Sequence, residues 1–313
     1  MITTFSRYCR GRYGEAVGKV PLDVGATCPN RRYGGCIYCL PASFTPFCLQ
    51  GGEQIAKQLA AGKKQLLPGR FRRYLAYFQQ ETCTAIPIER LLTMVRIPLA
   101  EPDCVGLILS TRPDHVPNAL LQALAKVVKG AGKDCLFELG MQSAHARSLA
   151  LLKRNHTFAQ VQDAVHRIKD TGAFACGVHL IFGIPGETEE QMCRSVEAAC
   201  QMGVDAVKLH HLQVLRDTPL HRMYLDGMVR PFSVDGYLEL LVRILPRIPA
   251  TVVIHRLWAT AHPHLLVAPK WHIRTAELSQ MLSGRMRQRG LSQGDQVKAA
   301  NLNQALPDTS SLC

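Results

Sequence analysis

Short apolar runs alternate with amphipathic stretches along most of this chain, and that alternation limits the fold more than any other feature. The apolar runs lie at 18–25, 73–79, 104–110, 135–141, 175–183 and 205–214. The stretches with helical periodicity lie at 53–62, 88–98, 117–130, 157–171, 188–202 and 233–246. Repeated β-then-α units predict a parallel sheet with right-handed crossovers. An open doubly wound sheet and a partial or complete βα barrel both fit this pattern, but the G-x-G-x-x-G of a dinucleotide site is missing after the first strand.

Polar side chains recur inside the predicted strands, where buried parallel strands normally read as unbroken apolar runs. Glu138, Gly140 and Gln142 alternate on one face of the fourth strand, and single polar residues mark one face of its neighbours. In a barrel, the face turned away from the outer helices is the lumen. The pattern therefore predicts a polar central cavity. Its other members are Gln79, Arg112, His179, Lys208 and His210.

Composition indicates a globular chain in a reducing compartment. The 313 residues suffice for two domains or one large α/β domain, and 47% of them are hydrophobic. No apolar run approaches the roughly 18 residues of a membrane span, and the first twenty residues carry no secretory h-region, so we expect a cytoplasmic protein. Most of the twelve cysteines stand singly in apolar runs. Cys104, Cys135 and Cys176 are therefore interpreted as small core residues.

Three cysteines cluster in "TCPNRRYGGCIYC" at Cys28, Cys36 and Cys39, and Cys48 follows nine residues later. Thiolates suit zinc and iron–sulfur clusters alike. Four thiolates including Cys48 would close a structural zinc site, whereas three on a 4Fe-4S cluster would leave one iron free for a substrate or cofactor. The spacing alone leaves both alternatives open.

The motifs in their order resemble the radical S-adenosylmethionine (SAM) superfamily, and within it the YhcC/YtqA-like branch related to the catalytic subunit of Elongator. The likeness runs from about residue 18 to residue 258, with a further match at 268–271. It rests on "KVPLDVGATCPNR", "GGCIYC", "YLAYFQ", "STRPD", "LFELGMQSAH", "GVHLIFGIPGET", "VKLHHLQVL", "VIHRL" and "APKW".

The resemblance implies a fold and a metal centre. The expected fold is α/β, a partial (βα)6 TIM-like barrel over residues 1–258, followed by a C-terminal extension over 259–313 that ends in a flexible tail. Cys28, Cys36 and Cys39 would ligate a 4Fe-4S cluster whose fourth iron binds SAM. One electron would then cleave SAM to methionine and a 5′-deoxyadenosyl radical.

The resemblance also implies residues that bind SAM. Tyr38 would lie against the adenine, and Gln79, at the end of the second strand, would bind the methionyl amino group. Glu138 and Gln142 are candidates for the methionyl or ribose groups. The turn from Gly183 to Gly186 would bring backbone close to the adenine, since glycine allows such an approach.

Charge suggests the substrate. The formal net charge is +13, "KKQLLPGRFRR" (63–73) holds five basic residues, and the segment 243–298 holds nine against two acids. Clustered positive charge is typical of nucleic-acid binding. Together with the likeness to an Elongator-type domain it predicts an RNA substrate, in particular tRNA. The chemistry that the resemblance implies also requires an electron donor such as flavodoxin or ferredoxin. Two alternatives stay open: the same chemistry on a small metabolite or a protein, and a non-catalytic, zinc-stabilised nucleic-acid-binding module.

Overall fold

The computed structural model describes residues 1–46, 49 and 54–297, and its main sheet consists of parallel strands wrapped on one side by helices. The strands are β1 Val17–Leu22, β2 Arg73–Phe78, β3 Cys104–Thr111, β4 Asp134–Gln142, β5 Ala175–Phe182, β6 Ala206–His211, β7 Val214–Leu215, β8 Val253–Arg256 and β9 Leu266–Ala268. The helices are α1 Phe5–Tyr13, α2 Ile55–Leu66, α3 Ile88–Leu99, α4 Asn118–Ala131, α5 Ala146–Leu151, α6 Phe158–Asp170, α7 Glu189–Gln201, α8 Pro219–Leu225, α9 Val234–Ile244 and α10 Thr275–Gln288.

The strand order in the main sheet is that of a barrel. Seven parallel strands pair in the order β1-β2-β3-β4-β5-β6-β8, while β7 and β9 form a separate antiparallel pair. Within the described ranges β1 and β8 do not pair with each other, so the barrel is left open between them, and the outer edge of β8 instead forms a parallel bridge from Ile254 to Thr4. The sequence therefore predicted the α/β partial barrel correctly, but it predicted six strands where the main sheet has seven. The missed strand, β8, is only four residues long and ends in two polar side chains, so hydrophobic periodicity does not reveal it.

The helices begin where local chemistry satisfies their first N–H groups. Thr157 caps α6 and Thr188 caps α7, each in a reciprocal capping box with a glutamine three residues later. Such boxes satisfy two unpaired donors at once. These helices match the predicted 157–171 and 188–202, and they lie against the outer face of the sheet.

The main hydrophobic core fills the space between the sheet and the helices. Cys104, Cys135 and Cys176 are buried there, as predicted. Helix α10 contributes Leu278 and Leu282 to the same core. The boundary at residue 258 stays a prediction, and the predicted flexible tail lies, from residue 298 on, outside the described residues. In the part of the chain that the structure describes, no helix has both the length and the apolar character needed to cross a membrane.

The inner face of the sheet carries the polar side chains that the alternation predicted. The register aligns Gly140 with His179, His179 with Lys208, and Lys208 with Arg256, so four adjacent strands present one row. The pairing of β6 with β8 shifts register just before Arg256. Such bulges re-aim side chains and are frequent beside active sites.

Candidate active site

One cavity of about 470 Å³ lies at the carboxyl ends of the strands and reaches down into the barrel. The loop after β1 lines it on one side with Cys28, Cys36 and Cys39. The inner strand residues line it below, including Glu138, His179, Lys208 and His210. Active sites of βα barrels gather at this end, so the cysteines and the polar row belong to one candidate site.

The cysteine loop is shaped by a short 3₁₀ turn and two glycines. The turn runs over Pro29–Tyr33 directly after Cys28. Gly34 and Gly35 follow with φ of +86° and +74°, a region that side-chain-bearing residues rarely adopt. The chain therefore reverses between the first cysteine and Cys36, which brings all three to the cavity.

Two polar side chains fix the ends of this loop. The carboxylate of Glu81 accepts a hydrogen bond from the backbone N–H of Cys28 at 2.5 Å and another from Arg31 at 3.0 Å. The amide of Asn30 donates to the sulfur of Cys36 at 3.2 Å. Glu81 holds φ of +46°, an uncommon conformation for a glutamate. Strained backbone of this kind concentrates at functional sites.

Arg154 is a buried cation that faces the same loop. Its guanidinium donates to the sulfur of Cys36 at 3.3 Å, to the hydroxyl of Tyr38 at 3.4 Å and to the carbonyl of Gly140 at 2.9 Å. Its positive charge therefore lies beside a sulfur that is a candidate cluster ligand. Arg154 thus links the cysteine loop to the fourth strand.

The donor set fits an iron–sulfur cluster. The three cysteines are free thiols that line one cavity. Burial, reinforced by Cys36, raises the pKa of the Cys39 thiol to about 12, so a metal must displace its proton on binding. Cys48, the fourth ligand of the zinc alternative, lies outside the described residues.

The cavity also presents buried polar atoms without a partner. Among the described residues, the hydroxyl of Thr82 and one terminal nitrogen of Arg112 have no hydrogen bond, and both residues line the cavity. Buried polar groups are almost always paired. Atoms of this kind fit a polar small molecule such as SAM beside the cysteines.

The residues that the resemblance assigned to SAM are placed in two different ways. Tyr38, Gln79 and Gln142 line the cavity with the cysteines. Gly183 and Gly186 are not among the described residues that line it. A side chain at Gly183 would instead meet the ring of Phe232 at 3.0 Å, so this glycine has a packing reason of its own. The binding roles of all five residues stay predictions.

Glu138, also assigned to SAM, is 2% exposed and already saturated by protein partners. One carboxylate oxygen contacts Lys208 at 2.5 Å, Ser110 at 3.1 Å and His179 at 3.3 Å. The other oxygen contacts His255 at 3.1 Å. We call Glu138 with these four partners the Glu138 cluster. These contacts favour an electrostatic role for Glu138. Direct binding of SAM by Glu138 stays a prediction.

Burial and charge oppose each other within the Glu138 cluster. Burial alone would raise the pKa of Glu138, but the Lys208 charge and the bonds from two histidines outweigh it and hold the pKa well below its usual range. Burial lowers the pKa of Lys208 to about 7, although Glu138 opposes this. Burial also lowers the pKa of His179 to about 4. The cluster thus keeps one carboxylate charged and its imidazoles neutral.

Sequence reasoning missed Glu81 and Arg154. Glu81 lies just beyond the end of β2, two residues after the chosen Gln79. Arg154 lies in the loop after α5, where no strand alternation or helical period applies. The available signal was the position of Glu81 at the carboxyl end of a strand, where βα barrels carry functional residues.

The two basic segments are partly neutralised. In 63–73, Lys63 pairs with Glu101 and Asp103, while Arg70 and Arg72 are exposed at the amino end of β2, away from the cysteines. In the second segment four arginines form ion pairs with acids on helices of the same chain. These pairs are Arg243–Glu189, Arg247–Glu197, Arg285–Asp235 and Arg289–Glu239. Lys298 lies outside the described residues.

Comparison with known proteins agrees with this geometry. Residues 23–199 match the radical SAM superfamily, and residues 204–288 match the radical SAM C-terminal domain. The chain belongs to the radical SAM superfamily. A 4Fe-4S cluster and SAM are therefore its cofactors, and it is an enzyme that needs a reductant, which removes the non-catalytic zinc module from consideration.

Within that superfamily the chain is similar to Protein YhcC of Escherichia coli K12, with 34% identity over 275 residues and 87% of each chain covered. It is 30% identical to YtqA of Bacillus subtilis over 297 residues, covering 93% of this chain and 91% of that one. A tRNA uridine(34) acetyltransferase of Methanocaldococcus jannaschii is 29% identical over 171 residues, 50% of this chain and 30% of that one.

A solved structure shares the fold. The archaeal Elp3 of Methanocaldococcus infernus aligns with a TM-score of 0.64 at 21% identity, covering 88% of this chain and 64% of that chain. The sequence similarities to YhcC, to YtqA and to Elongator complex protein 3 confirm the predicted kinship with the YhcC/YtqA-like branch and with Elongator.

Proposed function

We propose that this radical SAM enzyme modifies RNA, with tRNA as its substrate. The observation that carries the proposal is the similarity of half of the chain to a tRNA uridine(34) acetyltransferase. The net charge of +13 is consistent with a polyanionic partner. A flavodoxin or ferredoxin is the proposed electron donor.

In this proposal Cys28, Cys36 and Cys39 hold the cluster, and the cavity residues Tyr38, Gln79 and Gln142 contact SAM. The bound cofactors supply reductive cleavage of SAM and hydrogen abstraction from the substrate. Arg154 holds the loop of Cys36 against the fourth strand, and Glu81 holds its other end at Cys28. These contacts position the cluster ligands before the cofactors bind.

The cavity limits how RNA can react. Its volume of about 470 Å³ lies within the range of small-molecule sites. A duplex cannot enter such a space, so one nucleotide must leave its stack and reach the cavity alone. Enzymes that act on a base commonly extrude it in this way, at a cost of a few kcal/mol.

The test compares modified nucleosides. Total tRNA from cells with and without the gene is digested and analysed by mass spectrometry, and the deletion is complemented with wild-type or Cys36→Ala protein. We expect one nucleoside to be lost on deletion and restored by wild-type protein only. Identical nucleoside profiles in all strains would refute an RNA substrate.

A small metabolite is the second candidate. The observation that favours it is the neutralisation of the basic segments, since four of their arginines pair within the chain. Comparing the metabolite extracts of the same strains distinguishes this candidate from the first. A protein substrate is left as an alternative that no contact in the cavity favours.

A further inference from the structure

The row of side chains across the inner sheet ends in an arginine that pairs with no acid in the described part of the chain. Arg256 is the last residue of β8, the edge strand opposite β1 and its cysteine loop, and it lines the cavity. Among the described residues it forms no ion pair and no hydrogen bond. By contrast, Arg31 and Arg112, which line the same cavity, are paired with Glu81 and Asp114.

Glu138, the carboxylate in the same row, forms no hydrogen bond to Arg256, and both of its oxygens already have other partners. Glu138 bonds to Lys208 and two histidines, one of them His255, the residue just before Arg256. The register shift passes over His255 and aligns Arg256 with Lys208. His255 completes the Glu138 cluster. Arg256 is left on the cavity wall as a cation without an ion pair among the described residues.

A second group beside Arg256 also lacks a partner. The Nε2 atom of His210 is buried and has no hydrogen bond within the described residues. His210 lines the cavity, and its ring lies 5.6 Å from that of His179. The register aligns Arg256 with Lys208, and His210 lies two residues further along β6 on the same face, so both side chains belong to adjoining strands of the cavity wall. A buried nitrogen without a partner indicates a ligand that supplies one.

We propose that Arg256 and His210 form an oxyanion subsite that holds a phosphate or carboxylate group of the substrate. Arginine is suited to this because its planar guanidinium binds oxyanions through two parallel hydrogen bonds. A neutral imidazole adds one donor when Nε2 carries the proton. If the source of the oxyanion is a nucleotide phosphate, as the proposed function requires, the subsite anchors the extruded nucleotide opposite the cysteines.

The experiment measures binding of simple probes to the whole protein. The protein is reconstituted anaerobically with its cluster, saturated with SAM and left unreduced, so that no turnover occurs. Isothermal titration calorimetry then compares uridine 5′-monophosphate, uridine and succinate. Uridine lacks the oxyanion, and succinate supplies one without a nucleotide.

Three substitutions and one control are compared. Arg256→Gln keeps a donor but removes the charge, and we expect it to weaken binding of the anionic probe by about tenfold or more, as for hydrogen bonds to charged groups. Arg256→Lys is expected to recover part of the loss, since lysine lacks the planar fork. His210→Phe should cost a smaller factor, about two- to tenfold. Arg72→Gln, an exposed arginine at the other end of the barrel, should change nothing.

The outcomes separate this subsite from the proposed function. Tighter binding of uridine 5′-monophosphate than of uridine, lost in Arg256→Gln, supports both. Binding of succinate alone, again dependent on Arg256, supports the subsite and argues against an RNA substrate. Equal affinities of Arg256→Gln and wild type for both anions, with iron content unchanged, would overturn the subsite. A loss of SAM affinity in Arg256→Gln as large as its loss of anion affinity would also overturn the subsite, because Arg256 would then bind the cofactor.

Discussion

The cysteine loop and the Glu138 cluster line one cavity but are built in opposite ways. The cysteines lie outside the strands and are held by a few side chains, among them Glu81 and Arg154. Glu138 and most of its partners are inner-face residues whose positions follow from strand register. An iron–sulfur cluster that bonds to three thiolates can itself order the loop that carries them. No bound metal orders the partners of the buried Glu138 carboxylate, so the fold must position them.

The largest expected effect is the loss of iron–sulfur cluster binding when a cysteine of the cysteine loop is removed. We expect Cys28→Ala, Cys36→Ala and Cys39→Ala each to abolish or nearly abolish cluster binding, because each removes one of the three proposed thiolate ligands. Iron and sulfide counts after anaerobic reconstitution measure this. Cys104→Ala, in the core, and Cys48→Ala should both retain iron. A loss of iron in Cys48→Ala equal to that in Cys36→Ala would contradict the three-ligand assignment.

The second expected effect concerns the Glu138 cluster. We expect Glu138→Ala to lower the free energy of unfolding by ~3–5 kcal/mol, because Lys208 is left buried without its counter-charge. Anaerobic urea denaturation measures the change. The exposed Glu190, paired with Arg194 on the surface of α7, provides the control, and Glu190→Ala should cost less than about 1 kcal/mol.

A double substitution sharpens the same comparison. Replacing the pair together, as Glu138→Leu with Lys208→Met, removes both buried charges and should recover much of the stability lost in Glu138→Ala. If the single variant costs no more than its surface control, the cluster does not contribute to stability as its burial implies.

A third prediction uses His211, a buried histidine that has no charged partner among the described residues. His211 ends β6 and packs against Trp271, with ring centroids 4.0 Å apart. Burial lowers the pKa of His211 to about 3. Between pH 6.5 and pH 3 the unfolded chain therefore binds the proton that the folded chain excludes, so stability falls as the pH falls.

The test replaces His211 with phenylalanine, which keeps a ring and cannot titrate. Between pH 7 and pH 4.5 wild type should lose about 2–3 kcal/mol more than His211→Phe, at 1.36 kcal/mol for each pH unit below 6.5. Urea denaturation at both pH values measures the difference. Equal losses in the two proteins would show that His211 is protonated in the folded state as well.

The same contrast explains what the sequence could and could not predict. Strand parity placed Glu138, His179 and Lys208 on the inner face, because side-chain direction alternates with a period of two. It could not show that they bond to each other, since that depends on register between strands far apart in the chain. Loop positions follow no period, and Arg154 was therefore missed. The turn at Gly183 was predicted to bring backbone close to the adenine, which stays a prediction, and parity could not reveal that its close neighbour is the ring of Phe232 from a distant segment.

The smallest expected effect compares the two ends of the barrel as RNA-binding surfaces. Arg32 is exposed on the cysteine loop beside the cavity, whereas Arg70 and Arg72 are exposed at the amino end of β2. Arg73, also counted in the basic segment, is part-buried and contacts the backbone of Tyr13. An RNA that delivers one nucleotide to the cavity has to approach the cysteine loop that carries Arg32, but it need not reach the far end.

We therefore expect Arg32→Glu to weaken binding to bulk tRNA by more than Arg70→Glu with Arg72→Glu together. Each phosphate contact that is lost should reduce the log–log salt slope by about 0.7 for single-stranded RNA. The loss should be similar for all sequences, because phosphate contacts position the RNA without specifying it. Salt-titrated binding of tRNA to wild type and both variants measures these slopes, and iron content should stay constant in all three. A greater loss at the amino end of β2 would place the RNA on the face away from the cysteines, and it would then have to reach the cavity by wrapping around the barrel. Affinity that does not vary with salt would remove the electrostatic reason for an RNA substrate altogether.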